Sequence, residues 1–337
     1  MREVRIDYTR CGDISQIDRY ETLPSENIEM RMRSQSATSL GAHWMRSDKE
    51  VTFDGLTKNY TQCTIDFHLP EALEAPVLIY YRLTNFMQNH RKYAHSRSGD
   101  QLKGVAASLS SVRSSCNVVA TEVEPVTGRE MAVYPCGAIA NSIFNDTFES
   151  PQLLPDATGP GSNSRQVSYT MSNKGIAPLL DMALYAPSSY SVADEPGDNG
   201  TIIVPPPNWA ERYPRGYHSG NMFDPAGDEA FMVWMHNSAS PDFTKLAMRN
   251  DQDSMPEGFY RLNIMSRKLK DSAIPKDATG LIKELNRLSH TRKRRQKVHS
   301  YYESSYFQPK EALGRRVHHR RGPINPICHR HSVVTFP

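Results

Sequence analysis

A chain of 337 residues with 38% hydrophobic residues is long enough to bury the core of one large domain or two ordinary ones. It has no apolar run of about 18 residues, and its opening MREVRIDYTR lacks a signal-peptide core, so the sequence predicts neither a membrane-spanning helix nor a secretory signal. The formal net charge of +3 combines two unlike parts, because residues 265–337 contain 17 Lys and Arg against 5 Asp and Glu, a net of +12, which leaves −9 for residues 1–264.

Four segments of the acidic part have the pattern of β-strands. Residues 4–8 (VRIDY) and 63–69 (CTIDFHL) alternate apolar and polar side chains, as half-buried strands do. Residues 76–83 (PVLIYYRL) are rich in β-branched and aromatic side chains, and residues 257–264 (EGFYRLNI) return to alternation. With 23 Pro and 19 Gly spread along the chain, these segments predict a mainly β domain with long loops over residues 1–264.

Two other segments predict helix. A short helical insertion is expected within residues 84–104, where Phe86 and Tyr93 have roughly helical spacing. Residues 229–250 form the strongest helix candidate, with aromatic and aliphatic side chains on one face and an interruption at Pro241.

The alternating pattern stops after Ile264. Residues 265–337 carry the basic runs RKRR (292–295) and HHRR (318–321) with little apolar periodicity, which predicts a disordered or irregular basic tail. Such runs attract nucleic acid or anionic lipid through charge alone, and binding by the tail remains an alternative function. Because no nucleic-acid-binding motif accompanies the runs, we expect no nucleic-acid partner.

Cysteines and glycosylation sequons bear on the compartment. Four of the five cysteines lie in the acidic part, at Cys11, Cys63, Cys116 and Cys136. Their wide spacing excludes the C-x-x-C ligands of a structural zinc site, and both two disulfides and four buried thiols remain open. Three N-glycosylation sequons begin at Asn59, Asn145 and Asn199. An even cysteine count beside three sequons favours a lumenal or extracellular setting.

Motifs that would indicate an enzyme are missing from the sequence. It has no phosphate-binding Gly-rich loop, no H-E-x-x-H helix and no G-x-S-x-G elbow. The histidines that lie near carboxylates or hydroxyls form no defined constellation. We therefore expect no catalytic residue, no metal site and no cofactor.

Two long segments, YYRLTNFMQNHRKY (residues 80–93) and YPCGAIANSIFNDTF (residues 134–148), resemble the accessory β-subunits of type-IV P-type ATPases, the cell division control protein 50 family. Further pieces occur in the family's order: IDYTRC, PVLIYYRLTNF, GIA, PPPNW followed by YPRGY, FMVWMHNSASPDFTKL and GFYRLNI. The resemblance covers residues 1–264.

This resemblance implies an antiparallel β-sandwich with long loops and short helical insertions, which forms the exoplasmic domain of a two-pass membrane protein. It implies that Cys11 pairs with Cys63 and Cys116 with Cys136, and that Asn145 is the foremost glycosylation site. The implied function is non-catalytic: family members bind the ATPase catalytic subunit, are required for its exit from the endoplasmic reticulum and support its phospholipid transport. The implied location is the lumenal or extracellular side of the endoplasmic reticulum, Golgi, endosome or plasma membrane.

Two segments that carry the resemblance have the aromatic and Arg residues that dominate protein interfaces. The resulting candidates for contact with the ATPase are Tyr81, Arg82, Asn85, Phe86, Asn89, His90, Arg91, Trp209, Tyr213 and Tyr217. Equally, these residues would serve as core and turn residues of the domain, and the sequence leaves both interpretations open.

The sequence departs from the family pattern at two important places. After GIA it has Pro178, Leu179 and Leu180, where the family usually has Trp or polar residues and an Asp-Lys pair. The family's membrane helices and its final strand after Ile264 have no counterpart in the sequence, so we expect an incomplete domain with an unpaired sheet edge. The alternatives are therefore a truncated product without flippase function and a lumenal carbohydrate-binding β-sandwich.

Overall fold

A computed structural model describes residues 2–33, 40–123, 128–163, 165–192, 202–266 and 333–336. The strands are β1 (Glu3–Asp7), β2 (Glu21–Thr22), β3 (Ile28–Arg31), β4 (Ala42–Phe53), β5 (Leu56–Leu69), β6 (Val77–Leu83), β7 (Thr121–Val123), β8 (Glu130–Val133), β9 (Thr147–Phe148), β10 (Gln152–Leu154), β11 (Val167–Ser168), β12 (Ile203–Val204), β13 (Phe243–Asn250), β14 (Gly258–Ser266) and β15 (Val333–Phe336). The α-helices are α1 (Arg91–Ala94), α2 (Gly99–Leu102), α3 (Leu109–Cys116), α4 (Ala138–Asn141), α5 (Leu179–Met182) and α6 (Glu229–Met235), and 3-10 turns lie at Cys11–Asp13, Ser25–Asn27 and Pro207–Trp209.

Two antiparallel sheets enclose one core. The first has the strand order β13-β6-β15-β1-β3, and the second has the order β11-β10-β14-β5-β4-β2, with β9 also paired to β14. Ile6 and Ile79 of the first sheet share a buried cluster with Phe67 and Leu262 of the second. The predicted mainly β, antiparallel sandwich is therefore confirmed, and the four strand segments that the sequence predicts fall in β1, β5, β6 and β14.

A second core is built from the short helices and loops between β6 and β13, together with a small sheet of order β12-β8-β7. Two tryptophans anchor it to α4. Trp209 Nε1 donates to the carbonyl oxygen of Ala140 at 3.0 Å, and Trp234 Nε1 donates to that of Ile139 at 2.8 Å. Both buried indole N–H groups are thus satisfied, as large polar-tipped aromatics require.

The hairpin of β4 and β5 reaches from the sandwich to the second core. Its two-residue turn is Asp54-Gly55, and both residues have positive φ angles, 48° and 75°. Such a turn matches the twist of the flanking strands, and Asp-Gly is one of its preferred sequences. At the tip, His218 Nε2 lies 3.5 Å from Asp54 Oδ1, which places the hairpin against the loop of the second core.

The predicted helix over residues 229–250 is correct in its first part and wrong in its second. Helix α6 ends at Met235, and the residues after Pro241 form β13, which pairs antiparallel with β6. Phe243 and Lys245 of β13 are buried while Thr244 is exposed, which is a strand period of two. The helix ends where His236 adopts an extended conformation, with φ −72° and ψ 98°, before Pro241 is reached. The free edge of β6 then provides the pairing partner that apolar spacing alone does not reveal.

The position of the missing final strand is occupied in the structure, contrary to the expected unpaired edge. β15, from the far end of the basic tail, lies between β1 and β6 and is antiparallel to both. Val334 lies opposite Ile6 on one side and Tyr81 on the other. Without β15 this sheet would separate into the pairs β13-β6 and β1-β3. The basic runs at 292–295 and 318–321 lie outside the described residues.

Lys245 is a buried cation at the junction of β13 and α6, with 7% of its surface exposed. Its Nζ donates to the carbonyl oxygens of Val233, at 3.0 Å, and His236, so it closes the C-terminal end of α6. Burial lowers the pKa of Lys245 to about 8, because an ammonium group loses its hydration there.

We predict that Lys245→Met changes the pH dependence of stability. Native Lys245 releases its proton near its pKa of about 8, whereas an unfolded lysine keeps its proton up to the ordinary pKa of 10.5. Between these values the unfolded state binds more protons, so the native state gains stability as pH rises. From about pH 7 to about pH 11, the unfolding free energy of the parent should rise by about 3 kcal/mol relative to Lys245→Met in urea titrations. Exposed Lys103→Met is the control, and a pH-independent difference for Lys245→Met would contradict the prediction.

A second prediction concerns β15. Since β15 has a strand on each side, every backbone N–H in it points to β1 or β6, and Val334→Pro removes one such donor. We expect a loss of about 1 to 3 kcal/mol in unfolding free energy, because a carbonyl oxygen of the sheet loses its donor, and faster amide exchange in β1 and β6. Val334→Ile keeps the N–H, the β-branched shape and the apolar character, so it is the control. Unchanged exchange in β1 and β6 for Val334→Pro would show that β15 does not join them.

Candidate partner-interface loops

Two loops that carry the family resemblance pack against each other. They are the 84–90 loop, which follows β6, and the 236–242 loop, which precedes β13. The backbone N–H of Asn85 donates to Asp242 Oδ1 at 2.8 Å. Asn85 has a φ of 59°, a conformation that Asn tolerates better than most residues, so the chain turns sharply where the 84–90 loop leaves β6.

Gln88 joins the two loops from the inside. Its side chain is fully buried, its Oε1 accepts the N–H of Ser238 at 2.9 Å, and its Nε2 lies 3.5 Å from the carbonyl oxygen of Trp234. The ring of Phe86 packs edge-on against Trp234 and Phe243. Gln88 is not among the residues that the sequence predicts for this site, because no local signal separates a buried amide from an exposed one.

The polar candidates of this region lie at the surface. Asn85, Asn89 and Arg91 are exposed, whereas Arg82 and His90 are half-buried. Asn89 keeps a fixed position, since its Nδ2 donates to the carbonyl oxygen of Ala239 in the 236–242 loop at 2.8 Å. Together these residues present a polar surface on a rigid support.

Four of the aromatic candidates lie in the interior instead. They are Tyr81, Trp209, Tyr213 and Tyr217, and each is between 4% and 8% exposed. The ring of Tyr81 stacks on Phe144 with centroids 3.9 Å apart. Structure therefore assigns these four residues to the core, the second of the two interpretations that the sequence leaves open, while Phe86 is half-buried.

The cysteines form the pairs that the resemblance implies. Cys11 is bonded to Cys63, with Cα atoms 6.1 Å apart, and Cys116 to Cys136, with Cα atoms 5.9 Å apart. The two bonds fix different parts of the chain, because the first belongs to the sandwich core and the second to the second core.

The predicted glycosylation sites differ in their surroundings. Asn59 is exposed on β5, opposite Glu50 of β4. Asn145 is half-buried and directly follows Phe144 in the chain, whose ring stacks on that of Phe148 with centroids 6.2 Å apart. Asn199 falls outside the described residues. Glycosylation at these positions stays a prediction.

In the ranges that the structure describes, no helix combines the length and apolar character needed to cross a membrane. Within the same ranges, no three His, Cys, Asp or Glu side chains are grouped so that they could hold a metal ion.

We predict that the buried amide of Gln88 stabilises the domain more than the exposed amide of Asn89. Gln88→Leu leaves the N–H of Ser238 and the carbonyl oxygen of Trp234 buried without their partner, which should lower the unfolding free energy by about 2 to 3 kcal/mol. Asn89→Ala is the control, with an expected loss below about 1 kcal/mol because water replaces the lost contact. Tryptophan fluorescence during urea unfolding measures both, and equal losses would contradict the assigned role of Gln88.

Comparison with known proteins places these features in a family. The family model described as LEM3 (ligand-effect modulator 3) family / CDC50 family matches residues 1–267. The phospholipid-transporting ATPase accessory subunit CDC50 of Chaetomium thermophilum is 38% identical over 269 residues, which are 79% of this chain and 63% of that protein. The accessory subunit CRF1 of Saccharomyces cerevisiae is 36% identical over 259 residues, 77% of this chain and 58% of that protein.

A human relative, cell cycle control protein 50B, is 35% identical over 216 residues, which are 60% of this chain and 55% of that protein. This chain thus spans somewhat more than half the length of the curated relatives that it matches. Since the family match covers well over half of the chain, the chain belongs to the LEM3/CDC50 family.

Proposed function

We propose that this chain is a non-catalytic accessory subunit of a type-IV P-type ATPase that transports phospholipid. One observation carries the proposal: the family match extends over residues 1–267, which include every residue of the two described core clusters, the 84–90 loop and the 236–242 loop. Relatives that match this region are named as accessory subunits of phospholipid-transporting ATPases. In this role the chain binds the ATPase subunit, assists its exit from the endoplasmic reticulum and supports its transport cycle.

The proposed location of the domain is the lumenal or extracellular side of the endoplasmic reticulum, Golgi, endosome or plasma membrane. Both disulfides support this location, because such bonds persist in oxidising compartments and are rare in the cytosol. The exposed sequon at Asn59 is in keeping with it.

Contact with the ATPase is proposed to involve the polar surface of Asn85, Asn89 and Arg91, flanked by Arg82 and His90. Support comes from the rigid attachment of the 84–90 loop, since a preorganised surface loses little conformational entropy on binding. The guanidinium of Arg91 is exposed at the start of α1 and offers the planar donor group that favours interface carboxylates.

The accessory role can be tested by exchanging domains. The whole chain, which retains β15, would replace the matching region of CRF1 in yeast cells that lack the native subunit. We expect the chimera to co-purify with an ATPase subunit, to release it from the endoplasmic reticulum and to restore uptake of a fluorescent phospholipid. A chimera that folds, as judged by its disulfides, but binds no ATPase subunit would refute the proposed role.

Within that chimera, we predict that Arg91→Glu lowers the yield of co-purified ATPase about tenfold, a loss of about 1.4 kcal/mol in binding free energy. Reversal of the charge places like charges against each other if the partner presents a carboxylate. Arg10 is an exposed residue that directly precedes the 3-10 turn Cys11–Asp13 of the sandwich. Arg10→Glu reverses the same charge there, so it is the matched control and should leave the yield unchanged. Equal yields for both variants would exclude Arg91 from the interface and leave the accessory role itself intact.

A further inference from the structure

An open cavity of about 470 Å³ lies in the second core, away from the interface loops. Its walls come from residues 173–174, residues 212–213 and the segment 220–230. This volume is within the range of small-molecule sites, and charged and amide side chains dominate the lining.

Arg212 is held in the wall of the cavity by aromatic rings. Its guanidinium carbon lies 5.5 Å from the ring centroids of Tyr213 and Phe223 and 6.0 Å from that of Trp209. Its nearest carboxylate atom, Asp228 Oδ2, is 3.9 Å away, which is too far for a hydrogen bond. Ring contacts therefore orient the group, and among the described residues no hydrogen bond occupies its N–H donors. A planar fork of this kind matches a phosphate.

Lys174 supplies a second cation to the lining of the cavity. Its Nζ donates to the carbonyl oxygen of Gly227 at 2.9 Å, which fixes the ammonium group and uses one of its three N–H bonds. Two donors remain for a ligand. A phosphate between Arg212 and Lys174 would thus meet two fixed cations.

Carboxylates line the same cavity and change the ligand that it fits. Asp224 Oδ1 accepts the N–H of Ala226 at 2.9 Å, and Asp228 Oδ1 accepts that of Phe231 at 2.9 Å, so each carboxylate is fixed through one oxygen. The third carboxylate, Glu229, is already bonded to two backbone N–H groups through its Oε2. Asp224 and Asp228 would repel a ligand that carries only negative charge and would attract an ammonium group.

We propose that this cavity binds a zwitterionic phosphate–ammonium group of the phosphoethanolamine type. Arg212 and Lys174 bind the phosphate oxygens, and Asp224 with Asp228 binds the ammonium. This group occurs as the headgroup of a phospholipid and in soluble glycerophosphodiesters. The site is formed by this chain's own residues, so binding does not depend on the proposed role with an ATPase.

Isothermal titration calorimetry on the purified chain tests the site with three probes: glycerophosphoethanolamine, glycerol 3-phosphate and ethanolamine. We expect glycerophosphoethanolamine to bind at least tenfold more tightly than either half, because only the zwitterion satisfies both charge sets. Arg212→Gln should weaken the binding of glycerophosphoethanolamine at least tenfold. Arg212→Lys should recover only part of the lost affinity, since lysine keeps the positive charge but lacks the planar pair of N–H donors. Asp224→Asn should lower the affinity for glycerophosphoethanolamine to the affinity that the parent chain has for glycerol 3-phosphate.

Arg10→Gln is the control for loss of one exposed charge and should leave binding unchanged. Circular dichroism and the intact disulfides verify folding of each variant, and Lys174→Gln gives a second test if Arg212→Gln does not fold. Equal affinity for inorganic phosphate and glycerophosphoethanolamine would overturn the proposal. So would the absence of glycerophosphoethanolamine binding at millimolar concentration. Binding that neither Arg212→Gln nor Lys174→Gln weakens would also overturn it.

Flotation with phosphatidylethanolamine vesicles separates the two sources of the headgroup. Vesicle binding that glycerophosphoethanolamine displaces and that Arg212→Gln abolishes supports the proposal with a membrane lipid as the source. Calorimetric binding without flotation supports it with a soluble glycerophosphodiester as the source.

Discussion

Strand β6 divides its inward face between the two cores, and the arrangement of the whole domain follows from that division. Val77 and Ile79 belong to the sandwich cluster, whereas Tyr81 and Leu83 belong to the second core. Because alternate side chains of a strand share one face, a single continuous strand serves both cores. Neither core can shift relative to the other without breaking the pairing of β6 with β13, and the 84–90 loop therefore starts from a fixed point.

The sequence predicts the secondary structure of segments whose local pattern is sufficient. It does not predict the position of residues that is determined by contacts with distant parts of the chain. Strands β5 and β14 were predictable because their alternation is local. The interior position of Tyr81 and Trp209 was not, since the same aromatic residues dominate cores and interfaces. Gln88 was missed because its burial depends on Ser238, 150 residues further along the chain. The disulfide pairing came from the family resemblance, since spacing alone left free thiols open.

Two further differences between the sequence-based prediction and the structure also arise from pairing partners that lie far away in the sequence. Residues 243–250 have apolar spacing that suits either a helix or a strand, and the open edge of β6 selects the strand. β15 lies between β1 and β6, and its residues Val333–Phe336 are all strand formers. A run of four such residues does not show which sheet it joins, because the pairing partners lie far away in the sequence. A local signal was available for one feature that the sequence analysis did not use: Asp54-Gly55 between two long strands is a typical hairpin turn.

Helix α6 connects the cavity wall to the 84–90 loop through its buried aromatic side chains. Phe231 packs against Phe223, a wall of the cavity, whereas Trp234 packs against Phe86 of the 84–90 loop. Truncating a core aromatic of α6 would thus disturb the cavity and the polar surface together, and loss of binding would not locate the contact. Only exposed charges such as Arg91, whose removal leaves this packing intact, can separate direct contact from displaced geometry. In both proposed binding sites, recognition therefore depends on polar side chains whose positions the buried aromatics determine.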